Sequence, residues 1–103
     1  MPFLAVDEIT GEFGANGILG LGPSNDKRSY VNQLYYQGQI DEQVVGLNYE
    51  NPADKTASST VTFGYLDYKQ VFGGEDGLNW YENIGVDHWA VLMSDVLYGT
   101  KDI

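Results

Sequence analysis

The chain has no cysteine, three prolines and only five basic residues against fifteen acidic ones. Without cysteine there is no disulfide framework and no thiolate chemistry. A formal charge of −10 and a pI near 4.1 argue against nucleic acid and anionic membrane as partners, since both need a positive surface. No apolar run is long enough to span a bilayer. The opening residues 1–6 stop at Asp7-Glu8 and lack a basic start, so they do not read as a signal peptide. A single histidine, His88, cannot build a histidine-rich metal site, and no stretch has the Asp-x-Asp-x-Asp-Gly calcium spacing. The three glycines Gly17, Gly20 and Gly22 do not form a phosphate loop, and no serine sits in a Gly-x-Ser-x-Gly context. The sequence therefore implies neither cofactor nor metal.

What is present is a globular composition: 103 residues, 43% hydrophobic and 14% aromatic, with thirteen glycines. That balance favours one domain over residues 1–103, made of short strands and turns. The most distinctive stretch is Phe13-Gly14-Ala15-Asn16-Gly17-Ile18-Leu19-Gly20-Leu21-Gly22-Pro23. It is an apolar run threaded with glycine, which reads as a buried strand that another segment approaches closely.

Further along, residues 3–6 read as a strand followed by a turn. Residues 29–37 form the helix candidate, with Val31, Leu34 and Tyr35 on one face and Tyr30 and Tyr36 towards others. Ser29 can cap its start and Gly38 can take a left-handed stop. Core packing is the expected duty of these tyrosines. Residues 44–49 alternate as a strand with Val45, Leu47 and Tyr49 on one face, and residues 59–64 alternate as another. Residues 78–81 read as a strand, and His88 begins a longer one towards Leu97. The adjacent acids Asp7-Glu8, Asp41-Glu42 and Glu75-Asp76 read as solvated turn charges, because neighbours on a strand point to opposite faces.

The glycine-rich run resembles the Asp-Gly-Ile-Leu-Gly-Leu-Gly signature of pepsin-like (family A1) aspartic proteases, with Asn16 where the family usually has Asp. Asn16 precedes Gly17, a pair prone to deamidation, which would give that Asp. Phe3-Leu4-Ala5-Val6-Asp7-Glu8, which looks like a family segment with one residue missing, and Gln37-Gly38, Tyr65-Leu66-Asp67, Leu78-Asn79-Trp80 and His88-Trp89 through Asp95-Val96 resemble further family elements in order. Tyr81-Glu82-Asn83 departs from the family's Val-Pro-Val.

The resemblance implies an all-β fold with one short helix, a partial pepsin-like acid-protease fold. It would hold the end of the first lobe, the inter-lobe strands and the start of the second lobe. Aspartic proteolysis needs two carboxylates sharing a proton, one as base on a water and the other polarising the scissile carbonyl. The family draws them from two Asp-Thr/Ser-Gly motifs, and this sequence contains neither. By the resemblance they would lie upstream of Met1 and downstream of Ile103. Asp67 and Asp95 match structural positions, so the expected catalytic set is empty.

Two substrate-side roles carry over by resemblance. Ile18 would stand at the wall of the pocket for the side chain before the cleaved bond, and His88 near the cleft on its other side. Ile18 as plain core and His88 as a surface strand residue are the alternatives. The expectation is therefore a segment of, or descendant from, an aspartic endopeptidase, inactive alone. It would pair with itself or another chain, and act on a peptide or protein substrate only when completed. Two readings stand beside it: a non-catalytic β-rich binding or assembly subunit on the remnant fold, and an unrelated β-sandwich that binds sugars through its aromatics.

Overall fold

The computed structural model describes residues 3–11 and 14–103. Its elements run in the order α1 (Tyr30–Tyr36), β1 (Val45–Asn48), β2 (Thr60–Phe63), two 3₁₀ turns (Tyr68–Gln70 and Gly74–Gly77), β3 (Leu97–Tyr98) and β4 (Lys101–Asp102). The architecture is small antiparallel strands with one short helix, as expected. No helix among the described residues is long and apolar enough to cross a membrane.

The β1–β2 hairpin organises the fold. Its antiparallel register pairs Val45 with Phe63, Gly46 with Thr62, Leu47 with Val61 and Asn48 with Thr60. Alternation then puts Val45, Leu47, Val61 and Phe63 on one face and Gly46, Asn48, Thr60 and Thr62 on the other. Gly46 is required by crowding, since a Cβ there would stand 2.5 Å from Thr62 Oγ1. Gly64 ends β2 at φ +87°, where its amide donates to the Val44 carbonyl at 2.9 Å. β3 and β4 form a second hairpin, turned by Gly99 at φ +66° and Thr100, a two-residue loop with glycine first.

Helix α1 ends as the sequence indicates, with Gly38 at φ +75°. Its start differs. Ser29 occupies the N-cap position, but its hydroxyl makes no capping bond. The entry loop is fastened instead by Asn32, which donates to the carbonyls of Ser24 (2.9 Å) and Asp26 (2.8 Å), and by Gln33, which donates to the Lys27 carbonyl at 2.6 Å. The packing face also differs. Tyr30 makes the edge-to-face contact with Phe63, ring centres 5.1 Å apart, that seats the helix on β2. Tyr35 is exposed and meets Tyr36 edge to face.

Three expected strands are absent. Residues 3–6, 78–81 and 88–96 form no strand, and the longer one reduces to β3 at its end. The glycine-rich run is not a strand either, and its described residues are largely exposed. Phe13 lies outside the described residues. A strand exists only as a partner to another, and no described residue forms a ladder with these segments.

Among the described residues none is fully buried, so the fold has no closed core. The chain exposes 9496 Å², whereas a self-contained domain of 11.4 kDa exposes roughly 5,800 Å². Its radius of gyration is 17.2 Å, against about 13 Å for a compact chain of this length.

Candidate functional site

Among the described residues, the end of the glycine-rich run is tied to a segment far along the chain. The Trp89 indole N–H donates to the Leu21 carbonyl at 2.8 Å, across 68 residues of sequence. Beside it, a Cβ on Gly22 would come 3.0 Å from the Asp87 carbonyl oxygen. This is the close approach that the glycines imply, and Gly22 makes it. Gly14, Gly17 and Gly20 have nothing within 4 Å of a Cβ.

Behind this junction lies an open groove of about 540 Å³ between the run, α1 and β1, with Leu21, Val31, Val45, Leu47, Trp80 and Trp89 among its walls. A second hollow, of about 460 Å³, lies on the Gly46 and Thr62 side of the hairpin. Val45 and Leu47 from one face of the hairpin reach the first, and Gly46, Asn48, Thr60 and Thr62 from the other face reach the second.

The turn bearing His88 is held by Asn83. Its Oδ1 accepts from the Gly85 amide at 3.0 Å and the Ala90 amide at 2.9 Å, and its Nδ2 donates to the Gly85 carbonyl at 3.3 Å. The Ile84 amide donates to the Ala90 carbonyl at 2.8 Å. A Cβ on Gly85 would collide with the His88 carbonyl, so the turn closes only over glycine.

Ile18 is 82% exposed and His88 is exposed. The Trp89–Leu21 bond brings their backbone segments together, but neither side chain lines the groove. Asn83 and Trp89 are the residues that reasoning from sequence missed. Asn83-x-Gly85 is a local signal, because an asparagine side chain readily bonds the backbone two residues on. The Trp89 bond has no such signal.

The carboxylates do not assemble. Asp7, Glu8, Asp41, Glu42, Glu75 and Asp76 are exposed, and no three potential ligands among the described residues are grouped to hold a metal. Asp67 accepts from the Lys69 amide and starts the first 3₁₀ turn, and Asp95 accepts from the next amide, Val96, at 2.8 Å. These are turn duties. Asp26 is paired with Arg28 through a fork, Nη2 to Oδ2 at 2.8 Å and Nε to Oδ2 at 2.9 Å. That side-chain bond, with the Arg28 amide, holds its carboxyl below the usual aspartate value. The Thr56 hydroxyl and amide do the same to Asp54.

The family described as eukaryotic aspartyl protease matches residues 3–103. A probable aspartic-type endopeptidase CTSD of Arthroderma otae is 28% identical over 93 residues, 85% of this chain and 24% of that protein. The proteins of the same description in Trichophyton verrucosum and Arthroderma benhamiae are 32% and 31% identical, again over 85% of this chain but 18% of theirs. The chain thus spans a quarter or less of the length of these relatives. No solved structure matches it.

Proposed function

The chain belongs to the eukaryotic aspartyl protease family, and from that premise we propose that its 103 residues are a non-catalytic portion of an aspartic endopeptidase. One observation carries this reading: no Asp-Thr-Gly or Asp-Ser-Gly occurs in the sequence. The pair of carboxylates that activates water and polarises the scissile carbonyl is then supplied by residues outside these 103. The contribution of this portion is structural and on the substrate side.

In that role the glycine-rich run and the His88 turn act together. The Trp89–Leu21 bond ties the segment bearing Ile18 to the segment bearing His88. Asn83 fixes the shape of the second. In the completed enzyme Ile18 borders the side chain before the cleaved bond and His88 borders the far side. The exposed apolar faces are covered by the completing residues, in the same chain or in another. Family membership removes the unrelated sugar-binding sandwich.

The test is peptide hydrolysis by the purified 103-residue chain at acid pH, with and without pepstatin, an inhibitor that needs both aspartates. The expected result is no cleavage and no pepstatin binding. Pepstatin-sensitive cleavage would overturn the reading. A complex of the chain with a non-protease partner in its source would favour a binding or assembly subunit instead.

A further inference from the structure

Asn16-Gly17 is the single Asn-Gly pair of the sequence. It lies in a bend, both residues are exposed, and space around Gly17 is open to 4 Å from a Cβ position. Other asparagines are held. Asn32 donates to two carbonyls, Asn83 makes three bonds, Asn48 donates to Glu50 and Gln70, and Asn51 accepts from the Ala53 amide. No hydrogen bond among the described residues engages the Asn16 amide. Asn51 also precedes proline, which has no amide N–H.

We propose that Asn16 is a site of spontaneous backbone-assisted deamidation, with water as the only co-reactant. The Gly17 amide nitrogen attacks Asn16 Cγ, an N–Cγ bond forms, and the Cγ–Nδ2 bond breaks. Ammonia leaves with the proton lost by Gly17, and a succinimide remains. Water then adds to one of its two carbonyls and opens the ring to aspartate or to isoaspartate. The attack needs the backbone nitrogen to swing towards its own neighbour's side chain. Glycine permits this because it lacks the Cβ that restricts φ and ψ, and the absence of a strand ladder leaves the segment free to do so.

Either product adds one negative charge to a protein already at −10. Aspartate keeps the backbone length, whereas isoaspartate adds a carbon to the backbone two residues before Ile18. If Ile18 borders the substrate, as proposed above, the two products differ in effect: isoaspartate shifts that wall and aspartate leaves it. This consequence rests on the functional reading. The chemistry does not.

The experiment incubates the purified protein at mildly alkaline pH and follows it by peptide mapping. Isoaspartate is counted with protein isoaspartyl methyltransferase. Asn16 is expected to convert ahead of Asn25 and Asn79, whose side chains also make no hydrogen bond among the described residues, giving both products and releasing ammonia. Gly17→Ala is expected to lose the conversion on the same time scale. Equal conversion of Asn25, or unchanged conversion of Asn16 in Gly17→Ala, would overturn the proposal. Neither readout depends on catalysis by this protein, so the result is independent of whether these residues belong to a working endopeptidase.

Discussion

Replacing Gly64 by alanine separates two costs that coincide at the end of β2. Gly64 sits at φ +87°, a left-handed conformation that costs an L-residue about 1–2 kcal/mol. A Cβ there would also lie 2.6 Å from Ile40 Cγ2 and 2.7 Å from Ile40 Cβ. The first neighbour could move by rotation about χ1, although branching at Cβ restricts it. The second cannot, so the backbone must shift, at about 1–3 kcal/mol. Together Gly64→Ala should cost about 2–5 kcal/mol. Gly99→Ala is the control, because φ is +66° but nothing lies within 4 Å, leaving only the conformational cost of about 1–2 kcal/mol. The assay is NMR of both variants: cross-strand contacts between Val45 and Phe63, and exchange protection of the residue-64 amide that donates to Val44. Loss of both is expected for Gly64→Ala, with the Leu97–Asp102 pairing retained. If Gly64→Ala keeps the β1–β2 contacts, or perturbs its hairpin no more than Gly99→Ala perturbs β3–β4, the steric argument fails.

Trp89→Phe keeps the apolar ring and removes the donor to Leu21, so it should loosen the junction by about 1 kcal/mol, read as faster amide exchange around Leu21 and Asp87 with β1–β2 unchanged. Asn83→Ala removes the acceptor of the Gly85 and Ala90 amides, which water can partly replace because the bonds are half-buried or exposed, and should cost about 1 kcal/mol, seen as disorder in the His88 turn. Asp26 and Asp54 have depressed folded values, so their contributions are present above the unfolded aspartate value and lost as pH falls through the folded one. NMR titration of the carboxyl carbons should therefore place both midpoints below that of a free aspartate, and Arg28→Ala should return Asp26 alone towards it. Urea unfolding should show a slope about two thirds of that of a compact domain of this mass, because the slope scales with the area exposed and this protein leaves much of its surface open already. A full-sized slope would contradict the open architecture.

How far sequence reaches depends on whether a signal is local. The helix is legible because Val31, Leu34 and Gly38 lie within one short stretch. The β1–β2 hairpin is legible because Val45 and Leu47 alternate with small or polar residues, as Thr60 and Thr62 do with Val61 and Phe63. The strands expected at residues 3–6, 78–81 and 88–96 have the same kind of composition. Composition specifies which face a strand would bury but not the neighbour that pairs with it, and that neighbour is missing among the described residues. The contact made by Tyr30 escapes the pattern because helical periodicity does not say which side Phe63 occupies. At the site, the glycine-rich run correctly points to a close approach. Its partners, the Asp87 carbonyl and the Trp89 indole, depend on a contact that no spacing encodes.

The most direct test of the central claim, that these residues form a portion completed by others, is native mass spectrometry of the protein isolated from its source, followed by sequencing of every polypeptide in the species found. The expected result is an assembly or a longer polypeptide that contains these residues together with two Asp-Thr/Ser-Gly motifs. A species composed only of copies of these 103 residues would contradict it.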